Sequence, residues 1–252
     1  MRILITNDDG YQAKGLKVLV EIMKQFGEVT VIAPKKHQSG MSMAVSLGFK
    51  QIAHKDLGDG WHYVDATPAS CVKFGLNTLF LDNYPDVVVS GINHGSNASI
   101  ASLYSGTLGA AAEGAIYGVK SVGLSINTHH PDPDFTQIEP HLRKIIANAM
   151  DQELPQGVYL NVNFPAIPAG EIKGIKIAKQ GNGMWHKEFE QRKDPYGRHY
   201  YWMTGNFKDL EQNPENNGDH NLMDQGYITI VPHKIDTTCY ATMEQLENGW
   251  EL

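Results

Sequence analysis

Short runs of β-branched residues alternate with helical patterns of apolar residues over the first ninety residues. The three strongest runs are residues 2–6 (RILIT), 29–33 (VTVIA) and 86–90 (DVVVS). Between the first two runs, apolar residues recur at helical spacing from Leu16 to Phe26. Continuous apolar strands separated by helices are typical of a mostly parallel sheet with helices on its faces. The pattern therefore predicts an α/β, Rossmann-like fold.

The same alternation continues along most of the chain. Thr67 and Pro68 are typical of an N-cap and a first helical residue, so they predict the start of a helix. No linker interrupts the pattern, and we expect a single domain over residues 1–252. Further strands are predicted at 61–66, 121–126, 157–164 and 227–231, further helices at 108–117, 140–150 and 238–248, and loops at 35–43, 91–102 and 213–220.

The composition changes after Phe164, where aromatic residues lie among charges, prolines and glycines. Asp194 to Gly197 is typical of a tight turn, which predicts a C-terminal β-hairpin arm and loop over about residues 182–222. A two-stranded hairpin has weak means of burying its own aromatic side chains. We therefore expect the arm to pack on the body or on another copy and to serve oligomerisation.

Charge and composition exclude several classes of protein. Lys and Arg number 21 against 28 Asp and Glu, giving a formal charge of −7 with no basic block, so no nucleic-acid polymer is expected as a partner. No apolar run approaches the roughly 20 residues that cross a bilayer, so no membrane partner is expected. Cys71 and Cys239 lack CxxC spacing and predict two buried free thiols. Without an apparent secretory signal, these features predict a cytoplasmic protein.

Each of the three strongest strands ends in a polar segment. These segments are Asn7 to Gly10, His37 to Gly40 and Gly91 to Gly95. In a parallel sheet they emerge at the same edge, which is where open α/β folds bind ligands. The sequence therefore predicts a ligand site formed by all three segments.

Two adjacent carboxylates dominate this predicted site. Gly10 permits a turn at which Asp8 and Asp9 can meet at one point, and such a pair is tolerated best with a cation between its members. With the Ser39 hydroxyl and the Asn93 amide, the pair would form a site of oxygen ligands, which favours Mg²⁺, Mn²⁺ or Ca²⁺ over Zn²⁺. Taken alone, Asp-Asp-Gly is equally typical of a solvated turn.

A second segment is suited to an anion. Ser105, Gly106 and Thr107 precede an alanine-rich helix, so backbone N–H groups and two hydroxyls could hold a phosphate at the positive end of that helix. An ordinary capped helix is the alternative interpretation.

Several motifs resemble the SurE family of 5'/3'-nucleotidases. The resemblance implies a metal-dependent phosphatase of nucleoside monophosphates, with polyphosphate as a further substrate in some members. It also implies a homo-oligomer, dimer or tetramer, built partly by exchange of C-terminal segments. The motifs are MRILITNDDG at the start, the loop with Ser39 and Gly40, SGINHGSN at 90–97, YSGTLGAAAEGA at 104–115, LNVNFP at 160–165 and DQGYITIVPHKIDTT near the end.

The resemblance places one divalent cation on Asp8, Asp9, Ser39 and Asn93, with Asp8 and Asp9 also catalytic. It places Tyr104 and the 105–107 segment beside the bound phosphate. We also expect Asn7 and Gly40 to bind substrate. The chain departs from the common family pattern at three positions, Gln38, Ser70 and Leu108, which bear on substrate preference more than on the reaction.

Several alternatives stay open at this stage. Either aspartate could orient or deprotonate the attacking water. His94 could protonate the leaving oxygen, although a solvent-facing loop histidine is the simpler interpretation, and His129 and His130 are expected to be exposed. Asp9 could instead form a covalent aspartyl phosphate. Outside enzymes, the chain could be a nucleotide-binding stress-response module without catalysis, or a scaffold whose arm binds a protein partner.

Overall fold

The computed structural model describes residues 1–46, 51–128, 130, 132–211 and 218–250. Its main sheet has nine strands in the order β3-β4-β2-β1-β5-β6-β7-β13-β8. The strands of the main sheet are β1 (Arg2–Thr6), β2 (Glu28–Pro34), β3 (His54–Gly58), β4 (Trp61–Val64), β5 (Val87–His94), β6 (Lys120–Asn127), β7 (Val158–Pro165), β8 (Ile175–Ile177) and β13 (Ile228–Lys234). Neighbouring strands are parallel except for the pairs β3–β4 and β7–β13.

Helices cover both faces of this sheet, which confirms the Rossmann-like α/β prediction. The helices are α1 (Lys14–Met23), α2 (Pro68–Asn77), α3 (Gly106–Ile116), α4 (Ile138–Asp151), α5 (Asp219–Asp224) and α6 (Tyr240–Gly249), with 3₁₀ helices at Ser99–Tyr104 and Ala169–Glu171. Alternation along β1 explains the two layers, since Ile3 and Ile5 belong to the core cluster that includes α1 and α4, while Leu4 belongs to the cluster that includes α2 and α3. Thr67 caps α2 as predicted, accepting a hydrogen bond from the Ser70 backbone. No helix in the described ranges is both long and apolar enough to cross a membrane.

The hairpin arm contains two short antiparallel strand pairs. Its strands are β9 (Gly183–His186), β10 (Phe189–Lys193), β11 (His199–Met203) and β12 (Asn206–Asp209). Strand β9 pairs with β12 at the base of the arm, and β10 pairs with β11 farther out. The turn from Asp194 to Gly197 forms as predicted, with the Gly197 N–H donating to the Asp194 carbonyl at 2.9 Å. Residues 219–222 of the expected arm lie instead in α5, which packs on β13 and β7.

Four local predictions need correction. Strand β5 continues to His94 instead of ending at Ser90, because its last residues pair with β6 after an irregularity in register. The predicted loop at 91–102 therefore starts later and contains a 3₁₀ helix. Residues 219 and 220 are helical, while 213–217 of that predicted loop lie outside the described residues. Cys71 is buried as expected, but Cys239 is exposed.

Candidate active site

The carboxyl ends of β1, β2 and β5 bring the three polar segments together. The Gln38 backbone N–H donates to the Asp8 carbonyl at 2.7 Å. The backbone of His94, at the end of β5, lowers the pKa of Asp9, so it lies beside that carboxylate. The residues next to Ser39 and Asn93 therefore lie beside the aspartate pair, as parallel strand order predicts.

A tight turn presents the two aspartates. The Asn7 amide closes it, donating to the Gly10 carbonyl at 3.0 Å and accepting from the Gly10 N–H at 3.2 Å. Gly10 has a φ of +98°, a conformation that side chains other than glycine's rarely adopt. Asn7 is fully buried, and its side chain holds the turn. Its role in binding substrate stays a prediction.

Asp8 is a nearly buried carboxyl group, 3% exposed. Thr107 donates its hydroxyl to Asp8 Oδ1 at 2.6 Å, which joins the aspartate pair to the first turn of α3. The pKa of Asp8 is raised to about 6, chiefly by burial and in smaller part by the neighbouring Asp9 charge, against the lowering effect of the Thr107 hydrogen bond.

Asp9 is the more accessible member of the pair. Its carboxylate lies 3.3 Å from His37 Nδ1. Burial raises the pKa of Asp9, against the lowering effect of His37 and of the His94 backbone. In the described part of the chain, no lysine or arginine pairs with either carboxylate. The site therefore concentrates negative charge that its own side chains do not neutralise.

The donor set at this edge fits a divalent cation. Asn93 is nearly buried and donates its amide nitrogen to the Gly95 carbonyl at 2.8 Å, which leaves its oxygen as the atom available to a cation. Ser39 and Gly40 are exposed on the adjoining loop. Among the described residues, no group of three or more His, Cys, Asp or Glu side chains is placed to hold a metal, so hydroxyl and amide oxygens would have to complete this centre. The ligand set of Asp8, Asp9, Ser39 and Asn93 stays a prediction.

The first turn of α3 lies against Asp8. The Ser105 hydroxyl caps the helix by accepting from the Leu108 N–H at 3.1 Å. Because the Thr107 hydroxyl is bonded to Asp8, the groups best suited to an anion are the first backbone N–H groups, which have no intrahelical acceptor. Gly106 brings them close to the carboxylate: a Cβ there would lie 3.0 Å from Asp8 Cβ and 3.2 Å from Asp8 Oδ2.

This close approach predicts the effect of a methyl group. Gly106→Ala is expected to lower kcat at least about tenfold, because the added carbon displaces Asp8 or the helix start and small misplacements at a reacting centre are costly. Steady-state hydrolysis of a nucleoside monophosphate measures it. Gly170→Ala is the matched control, since a Cβ there meets nothing within 4 Å. Equal kcat in both variants would contradict the proposed packing.

A buried amide network supports the loop after β5. Asn161 and Asn163, on one face of β7, bond the backbone of Asn97: Asn97 N–H donates to Asn163 Oδ1 at 2.8 Å, and Asn161 Nδ2 donates to the Asn97 carbonyl at 2.9 Å. Asn97 in turn donates to Ser125 at 2.7 Å. Sequence reasoning missed this role. Two asparagines at core positions of LNVNFP could have indicated it, because buried amides require hydrogen-bond partners.

Asp219 was also missed, because its segment was predicted to be a loop. Its fully buried carboxylate accepts hydrogen bonds from the backbone N–H groups of Ser99 at 3.0 Å, Gly181 at 2.9 Å and His220 at 2.9 Å. One side chain thus joins the 3₁₀ helix that leads to Ser105, the start of the arm and α5. No pattern around residue 219 indicated it.

Loss of this charge is expected to destabilise the fold. Asp219→Asn should lower the free energy of unfolding by about 2–3 kcal/mol, because charge-assisted hydrogen bonds are weakened and an amide N–H faces backbone donors. Urea denaturation measures the change. Asp151→Asn, at the exposed end of α4, is the control and should remain within about 0.5 kcal/mol of wild type. Equal stability of the two variants would contradict the role given to Asp219.

His94 differs from the expected solvent-facing loop residue. It is the last residue of β5 and is partly buried, and its Nε2 atom is buried with no hydrogen-bond partner among the described residues. His130 is exposed as expected, and His129 lies outside the described residues. His94 therefore belongs to the wall of the site.

The fold and the site together define a Rossmann-like α/β protein with an acidic pair and a helix N-terminus at the carboxyl edge of its sheet. The family model described as survival protein SurE matches residues 3–187. The chain belongs to the SurE family.

Relatives match over almost the whole chain. Proteins named 5'-nucleotidase SurE are 38% identical in Cytophaga hutchinsonii, covering 99% of this chain and 97% of the relative, and 41% identical in Flavobacterium johnsoniae, covering 99% and 96%. The crystal structure of the SurE protein from Aquifex aeolicus is similar, with a TM-score of 0.86 and 31% identity over 98% of this chain and 99% of that one. This similarity extends into residues 188–252, beyond the residues that the family model matches.

Proposed function

We propose that the chain is a metal-dependent 5'-nucleotidase that hydrolyses nucleoside 5'-monophosphates to nucleoside and phosphate, with 3'-monophosphates and polyphosphate as further substrates. The observation that carries the proposal is the 2.6 Å hydrogen bond from Thr107 to Asp8. It places an acidic, cation-attracting pair against helix N–H groups that attract phosphate. The names of the relatives support the same reaction.

A divalent cation, Mg²⁺ or Mn²⁺, would supply Lewis-acid polarisation of the phosphoryl group and a lowered pKa of water. Asp8, Asp9, Ser39 and Asn93 would hold it. Asp8 is fixed by Thr107 and nearly closed to solvent, whereas Asp9 is more accessible. We therefore assign to Asp9 the orientation of the attacking water and its proton, and to Asp8 a purely electrostatic role.

The first turn of α3 would bind the phosphoryl group of the substrate. The N–H groups of Gly106 and Thr107 would bind phosphoryl oxygens and stabilise the charge that develops on them. The Ser105 and Thr107 hydroxyls act indirectly, by capping α3 and by fixing Asp8. Gly40 borders the opening from the exposed loop and stays a predicted substrate contact.

Two other functions are separated from this one by direct tests. A covalent aspartyl-phosphate mechanism would label an aspartate in the presence of a phosphate mimic, whereas water attack would not. A binding module without catalysis would retain nucleotide in excess chelator and release no phosphate.

The experiment is a substrate and metal panel. Phosphate release is measured for 5'- and 3'-monophosphates of each nucleoside and for polyphosphate, with Mg²⁺, with Mn²⁺ and with chelator. We expect release from 5'-monophosphates that chelator abolishes and added cation restores. Undiminished release in chelator would contradict the proposed metal dependence.

We also propose that the chain forms a homodimer or homotetramer through the arm. Large apolar side chains are exposed along it, including Phe189, Tyr196, Trp202 and Met203. Surfaces of this kind mark interaction sites. The cytoplasmic location likewise stays a proposal.

Removal of the outer hairpin tests the oligomer. Residues 189–203 can be replaced by a short Asn-Gly turn, because Thr204 N–H already donates to the Glu188 carbonyl at 2.7 Å and the cut ends are adjacent. We expect the mass in solution to fall from a multiple of the chain mass, 27.9 kDa in the wild type, to the mass of one shortened chain. An unchanged number of chains per particle would exclude the outer hairpin as the interface.

A further inference from the structure

We propose that the small cavity between the base of the arm and the loop after β5 binds the nucleobase of the substrate. The cavity has a volume of about 230 Å³. This inference rests on the proposed nucleotidase function and adds to it the part of the site that distinguishes a nucleotide from other phosphate esters. The residues that carry the argument are Ser96, Asn127, Trp185, Phe207, His220 and Asp224, all of which line the cavity.

One wall of the cavity consists of three rings in edge-to-face order. The Trp185 and Phe207 rings have centroids 6.0 Å apart at 76°, and the Phe207 and His220 rings 5.2 Å apart at 69°. Edge-to-face pairs are favourable, so each ring holds the orientation of the next. A base entering here would meet an ordered aromatic surface.

The backbone behind the rings fixes them further. A Cβ at Gly183 would lie 2.2 Å from Phe207 Cζ, and a Cβ at Gly181 would lie 2.0 Å from His220 Nδ1, so both rings lie directly against glycine backbone. Asp209 Oδ1 lies 3.1 Å from His220 Nε2. The wall is thus preorganised, which lowers the entropic penalty of binding.

The cavity opens beside the loop that carries a predicted metal ligand. Asn93 donates its amide to the Gly95 carbonyl at 2.8 Å, and Ser96, the next residue, lines the cavity. On the other side, Gly95 N–H donates to the Ile126 carbonyl at 3.0 Å, and Asn127, which also lines the cavity, follows. The rim of the cavity is therefore within a few residues of the proposed cation, and a nucleotide would bind with its phosphate at the cation and its base in the cavity.

The chemistry of the cavity suits a base. Aromatic side chains stack on any of the nucleobases, because every base has a π face. The Asn127 amide offers donors and an acceptor, and the Asp224 carboxylate can accept from an exocyclic amino group. At about 230 Å³ the space is smaller than pockets for drug-sized ligands, which fits one ring system and not a whole nucleotide.

The test compares a nucleotide with its base-free counterpart. Trp185→Ala and Phe207→Ala are each assayed with AMP and with ribose 5-phosphate. We expect the KM for AMP to rise about tenfold or more, from loss of stacking, while kcat and the KM for ribose 5-phosphate stay within about twofold of wild type. Tyr84→Ala is the control, because Tyr84 is exposed to the same extent as Phe207, at 39% against 38%, and precedes β5 at the other edge of the sheet.

A binding measurement separates failure of this inference from failure of the proposed function. Adenosine should quench the fluorescence of Trp185 in the wild type, and Trp185→Phe should lose the quench. Quenching without any phosphate release would support the cavity and overturn the nucleotidase. Hydrolysis of AMP with equal changes in KM for both substrates, or with no adenosine quench, would overturn the cavity and leave the nucleotidase standing.

Discussion

Asp8→Asn and Asp9→Asn are each expected to lower phosphatase turnover at least about 100-fold. Each substitution keeps the shape of the side chain and removes one of the two charges that attract the cation. Asp9→Asn also removes the group assigned to orient the attacking water. Initial rates of phosphate release from a nucleoside 5'-monophosphate at saturating Mn²⁺ measure both effects.

Asp151→Asn is the matched control for these variants. It removes the same charge from an exposed position at the end of α4 and should keep the wild-type rate. If either Asp8→Asn or Asp9→Asn retained wild-type turnover, the acidic pair would not be the catalytic centre.

The second large effect concerns stability without metal. Burial raises the pKa of Asp8 from 3.8 to about 6. A carboxyl group with a raised pKa in the folded state contributes stability at low pH and loses it as pH rises through that pKa, because the unfolded chain releases its proton first. The shift corresponds to about 3 kcal/mol above pH 6. In chelator, the wild type should therefore lose stability between about pH 4 and pH 6.

Asp8→Asn removes the contribution of Asp8 to this pH dependence, because asparagine does not titrate, while the contribution of Asp9, whose pKa is also raised by burial, remains. In chelator at pH 8 it should melt several degrees above the wild type, and the difference should vanish near pH 4. Saturating Mn²⁺ should raise the melting temperature of the wild type and leave that of the variant nearly unchanged. Thermal melts over this pH range provide the measurement. A variant less stable than the metal-free wild type at pH 8 would show that the ionised Asp8 carboxylate does not destabilise the fold.

That the polar residues at the strand ends approach each other could be predicted from sequence, because the geometry of a parallel sheet requires it. Parallel strands place their carboxyl ends at one edge, so three polar segments after three apolar runs had to approach each other. Gly10 indicated the turn that presents Asp8 and Asp9. The N-cap at Thr67 was equally readable. The helix predicted to begin at residue 108 begins instead at Gly106, with Ser105 as its N-cap.

Other features depend on long-range contacts that no local pattern contains. Strand β5 reaches His94 because β6 pairs with its last residues, and this extension partly buries a histidine that was expected to face solvent. Asp219 holds groups from positions 99 and 181, which are far from it in sequence. The edge strands β3 and β8 were missed because β3 is exposed throughout and the alternation in β8 extends over only three residues, which is too short to predict a strand.

Calorimetric titration with Mn²⁺ tests the central claim most directly, namely that one cation is held by oxygen atoms of Asp8, Asp9, Ser39 and Asn93. The titration compares wild type with Asp8→Asn, Asp9→Asn, Ser39→Ala, Asn93→Ala and the Asp151→Asn control. We expect one ion per chain in the wild type and the control, and affinity reduced about tenfold or more in each of the other four variants. Wild-type affinity in all four, or no bound ion in the wild type, would contradict the proposed centre.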